Sequence, residues 1–176
     1  GEVTVTVTGK GNYSGTVQRK YQITKAPLTV ETQSDSKVYD GKPLTAPGTV
    51  KGFVEGENAE LQVTGTQTAV GSSKNTYKIV WTETTKADNY QVSETVGTLT
   101  VTDQSIEDSK KITVGTLGNV VYNGKNQKQE PAVTTKDGKT TLVKGTDYTL
   151  SYSKDTKNVG EVTVTVTGKG NYSGTV

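Results

Sequence analysis

The chain has 176 residues, with 20 basic and 18 acidic side chains, a net charge of +2, and no Cys, His or Met. Without Cys and His there is no disulfide framework, no zinc-thiolate site and no thiol or imidazole catalyst. With 19 Lys and the single Arg19, nucleic-acid binding lacks its bidentate donors, and no apolar run approaches the roughly 20 residues of a membrane span.

The 24 Val and 33 Thr are β-branched, stiff at χ1 and suited to a pleated surface, so composition favours sheet. Glu2–Thr8 alternates strictly, with Val3, Val5 and Val7 on one face and Thr4, Thr6 and Thr8 on the other. That period of two predicts a half-buried antiparallel strand. Gly9-Lys10-Gly11-Asn12 breaks it, and Val17, Arg19, Tyr21 and Ile23 resume it, which predicts a hairpin with a longer loop. Strands are next expected at Leu28–Thr32, Leu61–Thr64, Tyr77–Trp81, Gln91–Ser93 and Gly97–Thr102. The last three are Ile112–Val114, Asp147–Tyr152 and Glu161–Thr167. Asp40-Gly41 and Asn123-Gly124 read as hairpin turns, since both dipeptides tolerate positive φ. Nothing shows helical periodicity over ten residues. The expected fold is all-β: tandem small Ig-like β-sandwich repeats forming an extended rod, with β-grasp-like repeats as the alternative.

Repeats organise the chain. Residues 1–17 read GEVTVTVTGKGNYSGTV and residues 160–176 read the same seventeen letters, an offset of 159. That is the pattern of one period of a tandem array plus an overlap; with no initiator Met, the chain is expected to be an internal segment of something longer. A weaker echo links Val38-Tyr39-Asp40-Gly41-Lys42 to Val121-Tyr122-Asn123-Gly124-Lys125. Val70-Gly71 is likewise matched by Val159-Gly160, and Asn89-Tyr90 by Asn171-Tyr172. Two diverged repeat types, A and B, therefore alternate. Residues 1–26 are read as the C-terminal hairpin of a type B repeat, 27–103 as a type A repeat, and 104–176 as a type B repeat lacking its final strand. The Pro27 joint is expected to be stiff, and the polar joint Thr102–Lys111 to bend.

The segment KVYDGKPLTAPGTVKGFVEGENAELQVTGTQTAVGSSKNTYKIVW, with KADNYQVSETVGTLTVT, resembles the YDG/MBG-type repeats of bacterial surface proteins. VYNGKNQKQEPAV, VKGTDYTLSY and NVGEVTVTVTGKGNYSGTV resemble their Ig-like companion repeats. The resemblance implies an extracellular, wall-attached stalk or adhesin, chiefly of Gram-positive bacteria, and transfers no catalytic residue.

Candidate sites are few. The 18 acids are scattered in polar loops, so no enzyme, cofactor or metal site is expected. Asp103, Glu107 and Asp108 read as a charged linker rather than a Ca²⁺ cage, which needs 6–8 oxygens. Trp81 shares a strand face with Tyr77 and Ile79 and is expected in the core. Tyr39 and Tyr122 are expected to pack over their turns. Lys20 and Lys78 are the first candidates for an isopeptide crosslink. The leading expectation is a non-enzymatic stalk at the cell surface, its neighbours being other repeats of the same protein. In it, Val17, Arg19, Tyr21 and Ile23 would form a self-assembly strand completing the type B repeat of the next copy head to tail. The alternative is an adhesin module gripping glycan or host protein.

Overall fold

A computed structural model describes all 176 residues. In chain order the first strands are β1 (Glu2–Thr8), β2 (Thr16–Gln22), β3 (Ala26–Thr32), β4 (Asp35–Val38) and β5 (Gly48–Lys51). β6 (Ala59–Val63), β7 (Gly71–Lys74), β8 (Tyr77–Trp81), β9 (Tyr90–Thr95) and β10 (Thr98–Thr102) follow. The remainder are β11 (Gln104–Ser105), β12 (Ile112–Val114), β13 (Val133–Thr135), β14 (Tyr148–Tyr152), β15 (Val164–Gly168) and β16 (Tyr172–Ser173). A single 3-10 turn at Ala87–Asn89 is the only helical element. The chain is all-β, as its Val/Thr alternation predicts.

Contacts divide the chain into two compact units. The first gathers Gly1–Gln33, Pro47–Thr64 and Thr76–Gly97; the second gathers Ser34–Ala46, Gly65–Asn75 and Thr98–Val176. The segment 27–103 contributes strands to both units.

In the first unit β1 and β2 pair antiparallel from Glu2↔Gln22 to Thr8↔Thr16. β3 is the centre of a three-stranded sheet, antiparallel to β5 and parallel to β9. Its alternation buries Leu28, Val30 and Thr32 on one face. Thr32 is tolerated there because its Oγ1 accepts the Gly97 N–H at 2.9 Å. Gly52, at φ 107°, lets the chain leave β5 close to β3: a Cβ there would stand 2.5 Å from the Pro27 carbonyl oxygen. β6 and β8 form a separate antiparallel pair, and Trp81 at the end of β8 stacks on Tyr90 at 5.8 Å.

In the second unit β10 lies between β4, parallel, and β7, antiparallel. Leu99 and Val101 of β10 are buried in a small core with Leu44 and Ala46. A larger core gathers Ile106, Ile112, Val133, Leu142, Tyr148, Val166 and Tyr172.

Three expectations are corrected. Gly41 and Gly124 do take positive φ, 75° and 76°, and Lys42 and Lys125 donate their N–H to Asp40 and Asn123 Oδ1 at 3.0 and 2.9 Å. Neither dipeptide closes a hairpin, however: β4 spends its ladder on β10, and no strand follows Asn123-Gly124 as a partner of the preceding residues. The polar stretch Thr102–Lys111 is no loose joint either. Gln104 and Ile106 are buried, Ile106 within the larger core, and β11 pairs in parallel with β16. Finally, the expected strand Glu161–Thr167 begins only at Val164; the Thr163 carbonyl still accepts the Ser153 N–H at 3.0 Å, and Gly160–Val162 have no ladder partner.

Candidate functional site

One sequence occurs twice and meets two environments. In the N-terminal copy, β1 and β2 place Val3, Val5 and Val7 opposite Tyr21, Arg19 and Val17 on one face. That face is uncovered: Val5, Val7, Val17 and Tyr21 are 45–62% exposed, and Tyr13 in the loop is 80% exposed. Beyond the strand, Ile23 is 64% exposed. The C-terminal counterparts differ. Val166, equivalent to Val7, is 1% exposed, and Tyr172, equivalent to Tyr13, is 9% exposed. They are covered by Ile106, Ile112, Val133, Leu142 and Tyr148.

The hairpin rungs next to the loop are nonetheless the same in both copies. Gly9 N–H bonds to Gly15 O at 2.9 Å, and Gly168 N–H bonds to Gly174 O at 2.9 Å. Val7 lies opposite Val17, and Val166 exchanges two hydrogen bonds with Val176, at 2.7 and 2.9 Å. Local sequence therefore dictates the hairpin, and packing decides its exposure. A two-stranded hairpin is marginal alone, and moving one Val, Ile or Tyr side chain from water into a core is worth roughly 1.5–3 kcal/mol. The exposed N-terminal face is thus a surface with a driving force to be covered.

All four residues expected to form a self-assembly strand lie on this hairpin or just after it. Val17, Arg19 and Tyr21 are in β2 on the uncovered face. Ile23 extends the ladder, with Gly1 and Ile23 exchanging backbone bonds at 2.9 Å each. On the other face Lys20 Nζ meets Glu2 Oε1 at 2.9 Å, an exposed pair that contributes little.

The second feature is one the sequence reading missed. A groove of about 550 Å³ opens between residues 117–122 and residues 156–164. Three apolar residues of its lining are bare: Val159 is 87% exposed, Tyr122 56% and Val120 53%. The rim carbonyls of Gly118 and Val121 are held by side chains, Gln129 Nε2 at 2.7 Å and Gln127 Nε2 at 3.0 Å, and not by a strand. Tyr152 OH braces the floor on the Gln129 carbonyl at 2.9 Å. The signal that could have located it was the echo of Val38-Tyr39 in Val121-Tyr122, which places the rim where the type A repeat has β4.

The remaining candidates are occupied structurally. Asp40 is held below the usual carboxylate range by the bond from Lys37 Nζ at 2.6 Å, helped by the Lys42 N–H. Asp155, near the groove, is held low by the Asn158 and Lys157 N–H groups, each at 2.9 Å. Glu107 Oε1 accepts the Thr175 N–H and Asp108 Oδ1 accepts the Lys110 N–H, so both acids serve the backbone. Tyr39 packs edge-on against Tyr172, centroids 5.5 Å apart, rather than over its own turn, while Tyr122 stays exposed. Phe53, Trp81 and Tyr90 face one another, and Tyr90 OH donates to Glu57 at 2.5 Å.

Residues 28–100 match the family model of the MBG domain, YGX type. The matched segment contains Tyr39-Asp40-Gly41, as the YDG/MBG resemblance implies. No curated protein and no solved structure matches the chain.

Proposed function

We propose that the chain is a non-enzymatic stalk segment of a repetitive bacterial surface protein, extracellular and attached to the cell surface. In this reading each repeat is a small Ig-like sandwich, successive repeats run in series as a rod, and the hairpin of one copy completes the type B repeat of its neighbour. The observation that carries the reading is the parallel pairing of β3 with β9 and of β4 with β10 in and around the MBG-matched segment. Ala26–Glu31 lie parallel to Tyr90–Thr95 with a constant offset of 64 residues. Asp35–Val38 lie parallel to Leu99–Thr102 with the same offset.

The mechanical consequence follows from strand direction. Force applied at the start of β3 and the end of β10 pulls the members of each parallel pair, β3–β9 and β4–β10, in opposite senses. All their hydrogen bonds are then loaded together in shear, whereas an antiparallel terminal pair would open one rung at a time. A spacer under tension needs the former. The wet Thr and Lys faces and the scattered acids fit a spacer better than a catalyst or a ligand cleft.

Single-molecule extension of a tandem array tests this. The reading expects a discrete high-force step for each 27–103 domain. Smooth extension at low force, with no step, would contradict it.

A further inference from the structure

We infer that the Tyr39-Asp40-Gly41 motif is a docking point. Tyr39 receives the loop that carries Asn171-Tyr172 and ties the smaller core of the second unit to the larger one. The stretch Thr102–Lys111 then acts as a fixed joint and not as a hinge. This rests on the reading of the chain as segments in series and names the surface through which one segment holds the next.

The motif presents a ring at the end of a ladder. β4 runs parallel to β10 as far as Val38↔Thr102, and the Tyr39 N–H extends that ladder by bonding to the Thr102 carbonyl at 2.8 Å. One residue on, Asp40 Oδ1 accepts the Lys42 N–H at 3.0 Å and a bond from Lys37 Nζ at 2.6 Å, and Gly41 takes φ 75°. The turn braced in this way carries the chain off the sheet without closing a hairpin. It leaves Tyr39 half-buried at the point where β10 passes into β11. There the ring packs against the smaller core of Leu44, Ala46, Leu99 and Val101, and also against the larger core.

The loop meets this point through rings, a side-chain amide and backbone. Tyr172 stands edge-on to Tyr39, centroids 5.5 Å apart and planes at 84°, an arrangement that aromatic quadrupoles favour. Asn171 Oδ1 accepts the Val70 N–H at 2.9 Å, just before β7 begins and 101 positions away in the chain. The Asn171 carbonyl accepts the Gln104 N–H at 3.1 Å, and the Ser173 carbonyl accepts the Ile106 N–H at 2.8 Å. Gly174, at φ 83°, lets the loop close on the joint: a Cβ there would stand 2.8 Å from Ser105 Oγ.

Segments joined by a polar linker move independently unless an apolar contact covers the joint. Here the same loop is held by β11 and by residues at the ends of β4 and β7. Bending at the joint must therefore separate the two rings or break the Asn171 bond. Groups that share contacts in this way couple energetically, so the two cores respond together.

The test uses the full chain, which has no Cys, spin-labelled at Thr68→Cys and Lys139→Cys, both exposed positions. Pulsed dipolar spectroscopy should give one narrow distance for the parent. Tyr39→Ala combined with Asn171→Ala should broaden that distribution at least twofold. Tyr39→Phe should leave it as in the parent, since the contact is between rings. A double variant as narrow as the parent, or a Tyr39→Phe variant as broad as the double one, would overturn the proposal. Should the double variant lose its fold, Asn171→Ala alone decides, because its side-chain oxygen holds the Val70 N–H: broadening supports the docking point, and an unchanged width overturns it. Unchanged widths with stepwise high-force extension intact would remove the docking point and leave the stalk; the expected broadening with no force step would do the reverse.

Discussion

Val7 and Val166 hold the same place in one seventeen-residue sequence, and Val7 is 62% exposed where Val166 is 1% exposed. The hairpin around each has the same rung, so the difference lies in tertiary packing alone. Val166→Ala should lower stability by on the order of 2 kcal/mol, through lost burial and a cavity beside Tyr148 and Val133. Val7→Ala should change it by less than about 0.5 kcal/mol. Urea unfolding of the two variants checks both values; equal losses would mean that the copies share an environment.

Gly52 and Gly56 separate two effects of a methyl group. Both have positive φ, 107° and 83°, but a Cβ at Gly56 meets nothing within 4 Å. Gly56→Ala should therefore cost about 1–2 kcal/mol, the left-handed penalty alone. Gly52→Ala adds the 2.5 Å approach to the Pro27 carbonyl and should cost more, with β5 forced away from β3. Thermal unfolding of the two variants ranks them, and the opposite order would remove the close-approach argument.

Tyr77 sets an alkaline limit. Burial and then the bond to Glu94, at 2.5 Å, push its hydroxyl up to about 12 from 10.0. A raised pKa in the folded state favours the protonated hydroxyl, so its contribution is complete below pH 10. It is lost as pH rises from 10 to 12. Tyr77→Phe should therefore flatten the decline of stability over that window and leave the profile between pH 6 and 9 parallel to that of the parent. Denaturant midpoints measured across pH check this; an unchanged alkaline limb would show that Tyr77 is not the group responsible.

Strand positions were legible wherever alternation was strict. Tyr77–Trp81 and Ile112–Val114 have the bounds their pattern predicts, and Glu2–Thr8 pairs along its whole length. Pairing was less legible. The Asp40-Gly41 turn was visible, but β4 is claimed by β10, whose partner residues lie 64 positions away, and no local pattern announces such a choice. The polar composition of Thr102–Lys111 concealed two buried residues, Gln104 and Ile106, because two alternating positions are too few to register as a period. The groove was hidden for a related reason. Asn119-Val120-Val121-Tyr122 does not alternate, and its meaning comes only from its counterpart in the type A repeat. Tyr21 and Ile23 stand in phase in the alternation, and both are exposed.

The central claim is that successive copies act in series. Its most direct measurement is small-angle scattering of the chain and of a fusion in which residues 18–176 follow Val176, restoring one further period. The account predicts that the maximum dimension nearly doubles. A radius of gyration that rises only about 1.3-fold, as for one compact body of that length, would contradict it.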